Sequence, residues 1–342
     1  MAQTTRLAFA LALSCAVAGL AMGEASAATT VPPVHRMGAG PAPAAAPAGA
    51  HLAYFGGSVI SRIQVVQVLY GGTQSAYASQ VWATASPSLA SFYAGVTNSA
   101  YFDWLVEYDT PSAGGTGQTI GRGAFLAQRH IVPSAANDGS VISDLQIEGE
   151  IAAQIAAGAL PAPTSDAAGN PNTVYMINFP RGKTITLGPL TSCTSGGFCA
   201  YHQSFASNGQ TIVYGVLPDM GPTSACSLGC GANPVEFNDQ TAVASHELIE
   251  AVTDPVPTLG WYDPNNGEIG DICNQQQGTV VGGDGLTYVV QKEFSNVDDA
   301  CVVTRPASVA VAQALGGAAP WLAAALLLAG AARSGARATA RR

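Results

Sequence analysis

The run Ile63 to Tyr70, IQVVQVLY, is almost unbroken in apolar and β-branched residues and closes on Gly71-Gly72, the pattern of a buried strand. Val174 to Phe179 (VYMINF) and Thr211 to Leu217 (TIVYGVL) read the same way, and each is followed by a proline. Residues 75 to 95 space their apolar positions at helical intervals, with Val81, Trp82, Leu89, Phe92 and Tyr93 as core candidates and Ser86-Pro87 opening a second helix. Val141 to Ala157 predicts a further helix that turns Leu145, Ile147, Ile151 and Ile155 mostly inward. Residues 241 to 254, TAVASHELIEAVTD, predict a short helix backed by Ala242, Val243, Leu248, Ile249, Ala251 and Val252, with Asp239 as its N-cap and Asp254-Pro255 as its end. Strands and helices alternate. The expected fold is therefore α/β: a single layered domain with a mixed β-sheet and packed helices.

The ends read differently from the middle. Arg6, the apolar run LAFALALSCAVAGLAMG and Ala25-Ser26-Ala27 together read as a secretory signal peptide over residues 1 to 27. Residues 28 to 50 are Ala, Pro and Gly with little to bury, a leader or linker. The folded secreted domain is expected over 51 to 304. The segment 305 to 342 resembles a Gly-Gly sorting tail: Gly316-Gly317, an uncharged apolar stretch, then Arg333, Arg337, Arg341 and Arg342. The apolar residues from Ala314 to Ala332 are long enough for a bilayer core, with the arginines left on the cytoplasmic side. Membrane contact is expected only through that tail, and the body is expected to be secreted or held at the cell surface.

Charge narrows the partners. Between Leu52 and Thr304 the chain has 21 Asp and Glu against six Lys and Arg, an excess that repels a polyanion and argues against nucleic acid. Twelve of those acids lie between Glu236 and Asp299, a density that calls for screening by water or cations, Ca2+ among them. Cys15 falls in the signal peptide, so six cysteines remain after export, an even number that suits three disulfides in an oxidising compartment. Nearest-neighbour pairing predicts Cys193 with Cys199, Cys226 with Cys230, and Cys273 with Cys301.

The candidate chemistry sits on the 240s helix. At i and i+4 the His246 imidazole and the Glu250 carboxylate share one face and can hold one cation, and Glu247 stands beside them. The sequence HELIE differs from the zincin pattern HExxH in placing a glutamate where the second histidine would be, and it leaves Glu247 free as general base. The divalent ion is read as Zn2+ on His246, Glu250 and a third donor. Glu268 is that donor at a spacing close to the third glutamate ligand of thermolysin-like enzymes, with Asp271 orienting a ligand if GEIGD is helical. The run DPNNGE from Asp263 to Glu268 reads equally as a turn or a weak calcium loop, and His202 is an alternative third ligand. Asp254 lies about 12 Å along the helix from His246, so it braces the turn toward Trp261-Tyr262 instead. Serine chemistry has no G-x-S-x-G elbow to use.

The segments CAYHQSF (199 to 205), CSLGC (226 to 230), SHELIEAVTDP (245 to 255) and GEIGDIC (267 to 273) give the chain from about Val59 to Val303 a resemblance to the phosphate-induced, EXORDIUM-like secreted proteins. That resemblance implies secretion, disulfides and an extracellular role. Two functions follow as expectations. One is a secreted metal-dependent hydrolase, a peptidase with a peptide or protein substrate. The other is a non-catalytic protein that binds cell-wall or protein partners through Trp261, Tyr262 and Phe294, with structural calcium.

Overall fold

The computed structural model describes residues 45 to 305 except 232, together with the two-residue strand His35–Arg36. The segments expected as signal peptide (1 to 27), most of the leader (28 to 50) and the sorting tail (beyond 305) lie outside the described residues. The centre is a mixed sheet of β1 (Arg62–Tyr70), β2 (Gly121–Ile131), β3 (Thr173–Asn178), β4 (Phe198–Ser207) and β5 (Gln210–Leu217). Its order is β4-β5-β3-β1-β2, with His35–Arg36 beside β4. β5, β3, β1 and β2 run parallel, and β4 pairs antiparallel with β5. Asn208 and Gly209 link β4 to β5 with φ of 50° and 76°, the left-handed conformation that a two-residue hairpin turn requires.

Because side chains alternate across a strand, each strand feeds two cores. Ile63, Val65, Val174, Met176, Val213 and Leu217 pack on one face, and Val66, Val68, Tyr175, Ile177, Tyr214 and Val216 on the other. Helices α1 (Leu89–Val96) and α3 (Glu236–Thr253) join the first core, and α2 (Asp144–Ala156) covers the second through Ile147 and Ile151. The α/β expectation holds, with mixed sheet and packed helices.

Several local expectations change. The 75 to 95 stretch breaks into a 3-10 turn at Gln74–Ala76, one helical turn at Ser79–Trp82, and α1. The break follows from Ser88, whose hydroxyl accepts from the Ser91 N–H and starts α1 afresh. Val141–Ser143 is a strand paired with Thr184–Leu187, not helix, and Leu145 at 78% exposure points to solvent. α3 starts three residues before Asp239, so Asp239 is no N-cap. Its carboxylate instead accepts from Asn233 N–H and Gln277 Nε2.

Two of the three expected disulfide pairs are overturned. The bonds are Cys193–Cys226, Cys199–Cys230 and Cys273–Cys301, with Cα separations of 4.4, 5.4 and 5.7 Å. Cys226 and Cys230 stand one turn apart, with Cys230 N–H donating to Cys226 O, so their side chains project together toward the Cys193 to Cys199 segment. Each therefore reaches across, and the two bonds clamp that segment to the approach to α3. The described body runs on through Arg305, which is 9% exposed and pairs with Glu107 and Asp298 at 2.8 Å each. Among the described residues no helix is long and apolar enough to cross a membrane.

Candidate metal centre

Every residue of α3 from Asp239 to Thr253 is buried, so the polar groups of HELIE face protein, not water. The sheet comes close because β5 carries Gly215 beneath Glu247. A Cβ there would meet Met176 Sδ at 2.8 Å and Glu247 Cβ at 3.7 Å. Gly215 pairs across the hairpin with His202 of β4, which places the His202 ring under α3. The third wall is the 260s segment. Gly270 lies so near that a Cβ on it would fall 2.7 Å from His246 Nδ1 and 2.9 Å from Glu250 Oε1.

His246 and Glu250 meet as the helical spacing predicts, with Nε2 3.0 Å from Oε1. The same oxygen accepts from Asp271 N–H at 3.0 Å. The other oxygen, Oε2, lies 3.5 Å from His202 Nδ1. Glu247 reaches both rings, Oε1 at 4.0 Å from His246 Nε2 and Oε2 at 3.9 Å from His202 Nδ1. Two groupings of metal-ligand type result, His202-Glu247-Glu250 and His246-Glu250-Asp271, with donor atoms inside each within 4.8 Å of one another.

Glu268 is buried in the same cluster but stands in neither grouping. It faces His202, with Oε1 3.6 Å from Nε2. GEIGD is not a continuous helix: Asp263 N–H and Gly267 O close a turn at 2.9 Å, and only Asp271–Cys273 forms a 3-10 turn. The Asp263 carboxylate is taken up by the N–H groups of His51 and Asn265 and by Asn266 Nδ2. Asp254 braces the chain as expected, accepting from the N–H groups of Thr258, Leu259 and Gly260. Phe294 has no exposed surface and cannot line a binding face, because it is part of the core. Trp261 is half-buried between Tyr54 and Tyr108.

The hydrogen bonds around the two rings differ. His202 Nε2 is 3.0 Å from the main-chain carbonyl of Asp254, which only accepts, so the ring proton belongs on Nε2 and Nδ1 presents a lone pair. His246 Nδ1 lies 2.7 Å from Gln291 Nε2. That amide is oriented by donating to Gly270 O and accepting from Gln275 N–H, so in the neutral ring it donates to Nδ1 and the His246 proton sits on Nε2 facing Glu250. Gln291 and Gly270 carry no sequence signal of such roles, since neither residue type is a ligand or a base.

Burial dominates the electrostatics. It pushes the carboxyl groups of Glu247, Glu268 and Glu293 well above the usual range. At Glu250 burial acts the same way, but the His246 imidazole outweighs it and holds the carboxyl far below its ordinary value. Burial lowers His246, and Glu250 and Glu247 more than reverse it, so the imidazole is raised well above its usual value. Both oxygens of Glu247, Glu250 Oε2 and His202 Nδ1 have no hydrogen-bond partner and no contact with solvent. Acceptors facing acceptors in a dry site are costly unless a cation lies among them, and imidazole with carboxylate oxygens is a donor set that divalent ions take. The residues present fit a divalent cation.

Compared with known protein families, curated proteins and solved structures, the chain matches none of them. A cleft of about 360 Å³ opens near the first turns of α3, lined by Val81, Arg181, Pro222, Glu236, Phe237 and Gln240. Gln240 precedes His246 by six residues, about 9 Å along the helix axis.

Proposed function

We propose that the protein is a secreted metal-dependent hydrolase that acts on peptide bonds. The observation that carries this reading is Glu247, held without exposure between two imidazoles with both carboxyl oxygens unpartnered. His246 and Glu250 hold the divalent ion, read as Zn2+, with Asp271, Glu268 and His202 as the further donors at hand. An ion so held acidifies water and polarises a carbonyl oxygen. Glu247 takes the proton, the role a carboxylate performs when it lies beside the reacting water. The cleft beside Phe237 and Gln240 lies along the same helix, and among the described residues of the centre Asp271, with a side chain 15% exposed, is the partly open edge. Three disulfides suit an oxidising, extracytoplasmic setting.

The EXORDIUM-like resemblance supports secretion and disulfides more than catalysis, since the plant members of that family lack the His-Glu pair of this helix. CAYHQSF, SHELIEAVTDP and GEIGDIC are the segments that supply His202, His246, Glu247, Glu250, Asp254, Glu268 and Asp271. A second reading, a non-catalytic extracellular protein whose structural cation, Ca2+ included, ties β4, α3 and the 260s segment together, is favoured by the lack of any exposed surface on both histidines and on Glu247 and Glu250.

The deciding experiment is metal analysis together with casein and peptide cleavage by the wild type and Glu247→Gln. The hydrolase reading expects bound zinc in both proteins and turnover reduced by about 100-fold or more in the variant. Equal cleavage by both, or calcium alone with no cleavage, supports the structural role instead.

A further inference from the structure

We infer that the centre holds two divalent cations, bridged by Glu250, and that the tighter ion sits at His202 of the sheet and not at His246 of the HELIE helix. The inference rests on the metal-centre reading above and extends it from one ion to two.

The geometry of Glu250 is the first ground. Its two oxygens point to different imidazoles, Oε1 to His246 Nε2 at 3.0 Å and Oε2 to His202 Nδ1 at 3.5 Å. One ion shared by both histidines would need both ring nitrogens turned to a common point. Here the carboxylate stands between them, the arrangement of a bridge in a two-metal site whose ions are roughly 3.5–4 Å apart. Glu247 lies alongside with one oxygen toward each ring, so Oε2 completes the His202 grouping while Oε1 remains on the His246 side for proton transfer. Asp271 closes the second grouping from the open edge.

The second ground is the different state of the two rings. His202 donates Nε2–H to a main-chain carbonyl and leaves Nδ1 bare, the tautomer and outer partner that a metal-binding histidine commonly has. That bare nitrogen faces Glu250 Oε2 and Glu247 Oε2, neither of which has a hydrogen bond, in a site without water access. His246 is held at Nδ1 by Gln291, and its Nε2 lies 3.0 Å from Glu250 Oε1. An ion at His246 must displace that second contact and turn the Gln291 amide away from Gly270 O and Gln275 N–H. The His202 position is therefore organised before binding, and the His246 position is organised by it.

The test is calorimetric titration of the metal-stripped full chain with Zn2+, read for stoichiometry. Two ions per chain with affinities at least 10-fold apart are expected. His202→Asn should lose the tight phase, and His246→Asn should keep it while losing the weak one. One ion per chain in the wild type overturns the inference, as does a His202→Asn protein with the wild-type tight phase. Should either variant fail to fold, the wild type loaded with Mn2+ alone answers by electron paramagnetic resonance: a spin-coupled pair supports the bridge, and isolated ions refute it. No bound ion at all removes the hydrolase reading as well, whereas two ions without peptide cleavage remove only that reading.

Discussion

Asp254 and His202 are joined by a single 3.0 Å contact from His202 Nε2 to the Asp254 main-chain carbonyl, while the Asp254 carboxylate gathers the N–H groups of Thr258, Leu259 and Gly260. The residue that ends α3 thus fixes both the tautomer of the sheet histidine and the start of the 260s segment. Asp254→Ala removes three charge-assisted bonds from buried or half-buried N–H groups and should cost about 3 kcal/mol in chemical denaturation. It should also weaken divalent-ion binding, because the main-chain carbonyl that orients His202 stays in place but loses the three side-chain bonds that hold its segment. Unchanged ion affinity in a folded variant would show that the carbonyl keeps its place without the Asp254 side-chain bonds.

Gly270→Ala tests how tightly the 260s segment closes on the helix. Gly270 has an ordinary φ of −81°, so alanine meets no backbone penalty. Its Cβ, however, would lie 2.7 Å from His246 Nδ1 and 2.9 Å from Glu250 Oε1, and the ring and carboxylate would have to shift. The expected loss is about 1–3 kcal/mol of stability, as for other overpacked sites, with metal content reduced in the purified protein. Wild-type metal content and stability together would mean the segment can move away freely.

What the sequence disclosed and what it hid differ by the range of the interaction concerned. Three central strands were legible because Ile63 to Tyr70, Val174 to Phe179 and Thr211 to Leu217 are largely buried on both faces and therefore mostly apolar. β2 and the outer half of β4 were not, since GRGAFLAQRH and the polar residues after His202 lie at least partly exposed and follow no long apolar run. Within the site, His246 with Glu250 was legible from helical spacing alone. His202 and Gln291 come from strands 44 and 45 residues away from His246 in sequence, and no local pattern announces that they meet. The crossed disulfides were hidden for the same reason.

Cys193–Cys226 and Cys199–Cys230 enclose overlapping loops with separations of 33 and 31 residues. Either bond alone restrains nearly the same stretch of unfolded chain, so their effects are not additive. Removing one pair as Cys→Ser should cost roughly 1 kcal/mol, and removing both should cost about 3–4 kcal/mol, the amount expected for one loop of this length. Denaturant midpoints of the two single-pair variants and the combined variant test this. Peptide mapping without reductant should recover the 193–226 and 199–230 linkages. Equal and additive losses would argue that each bond stabilises by local packing and not through the unfolded chain.

Glu150, on the face of the sheet away from the metal centre, gives a pH-dependent contribution to stability with a definite sign. Burial by itself would raise its carboxyl, but bonds from Gln154 Nε2, Asn137 Nδ2 and the N–H and hydroxyl of Ser134 outweigh it and hold the group below the ordinary glutamate value. A carboxyl lowered on folding binds fewer protons in the native state than in the unfolded one. Its stabilisation is therefore fully present above the unfolded glutamate value of about 4.3, and it fades as pH falls through the lower native value. Glu150→Gln should be less stable than wild type by about 1–3 kcal/mol at pH 7, with the gap closing as both are unfolded in urea at progressively lower pH toward 3. A gap that stays constant over that range would mean the four bonds are satisfied equally by the neutral amide, and the carboxylate charge contributes nothing to holding the 134 to 137 turn against α2.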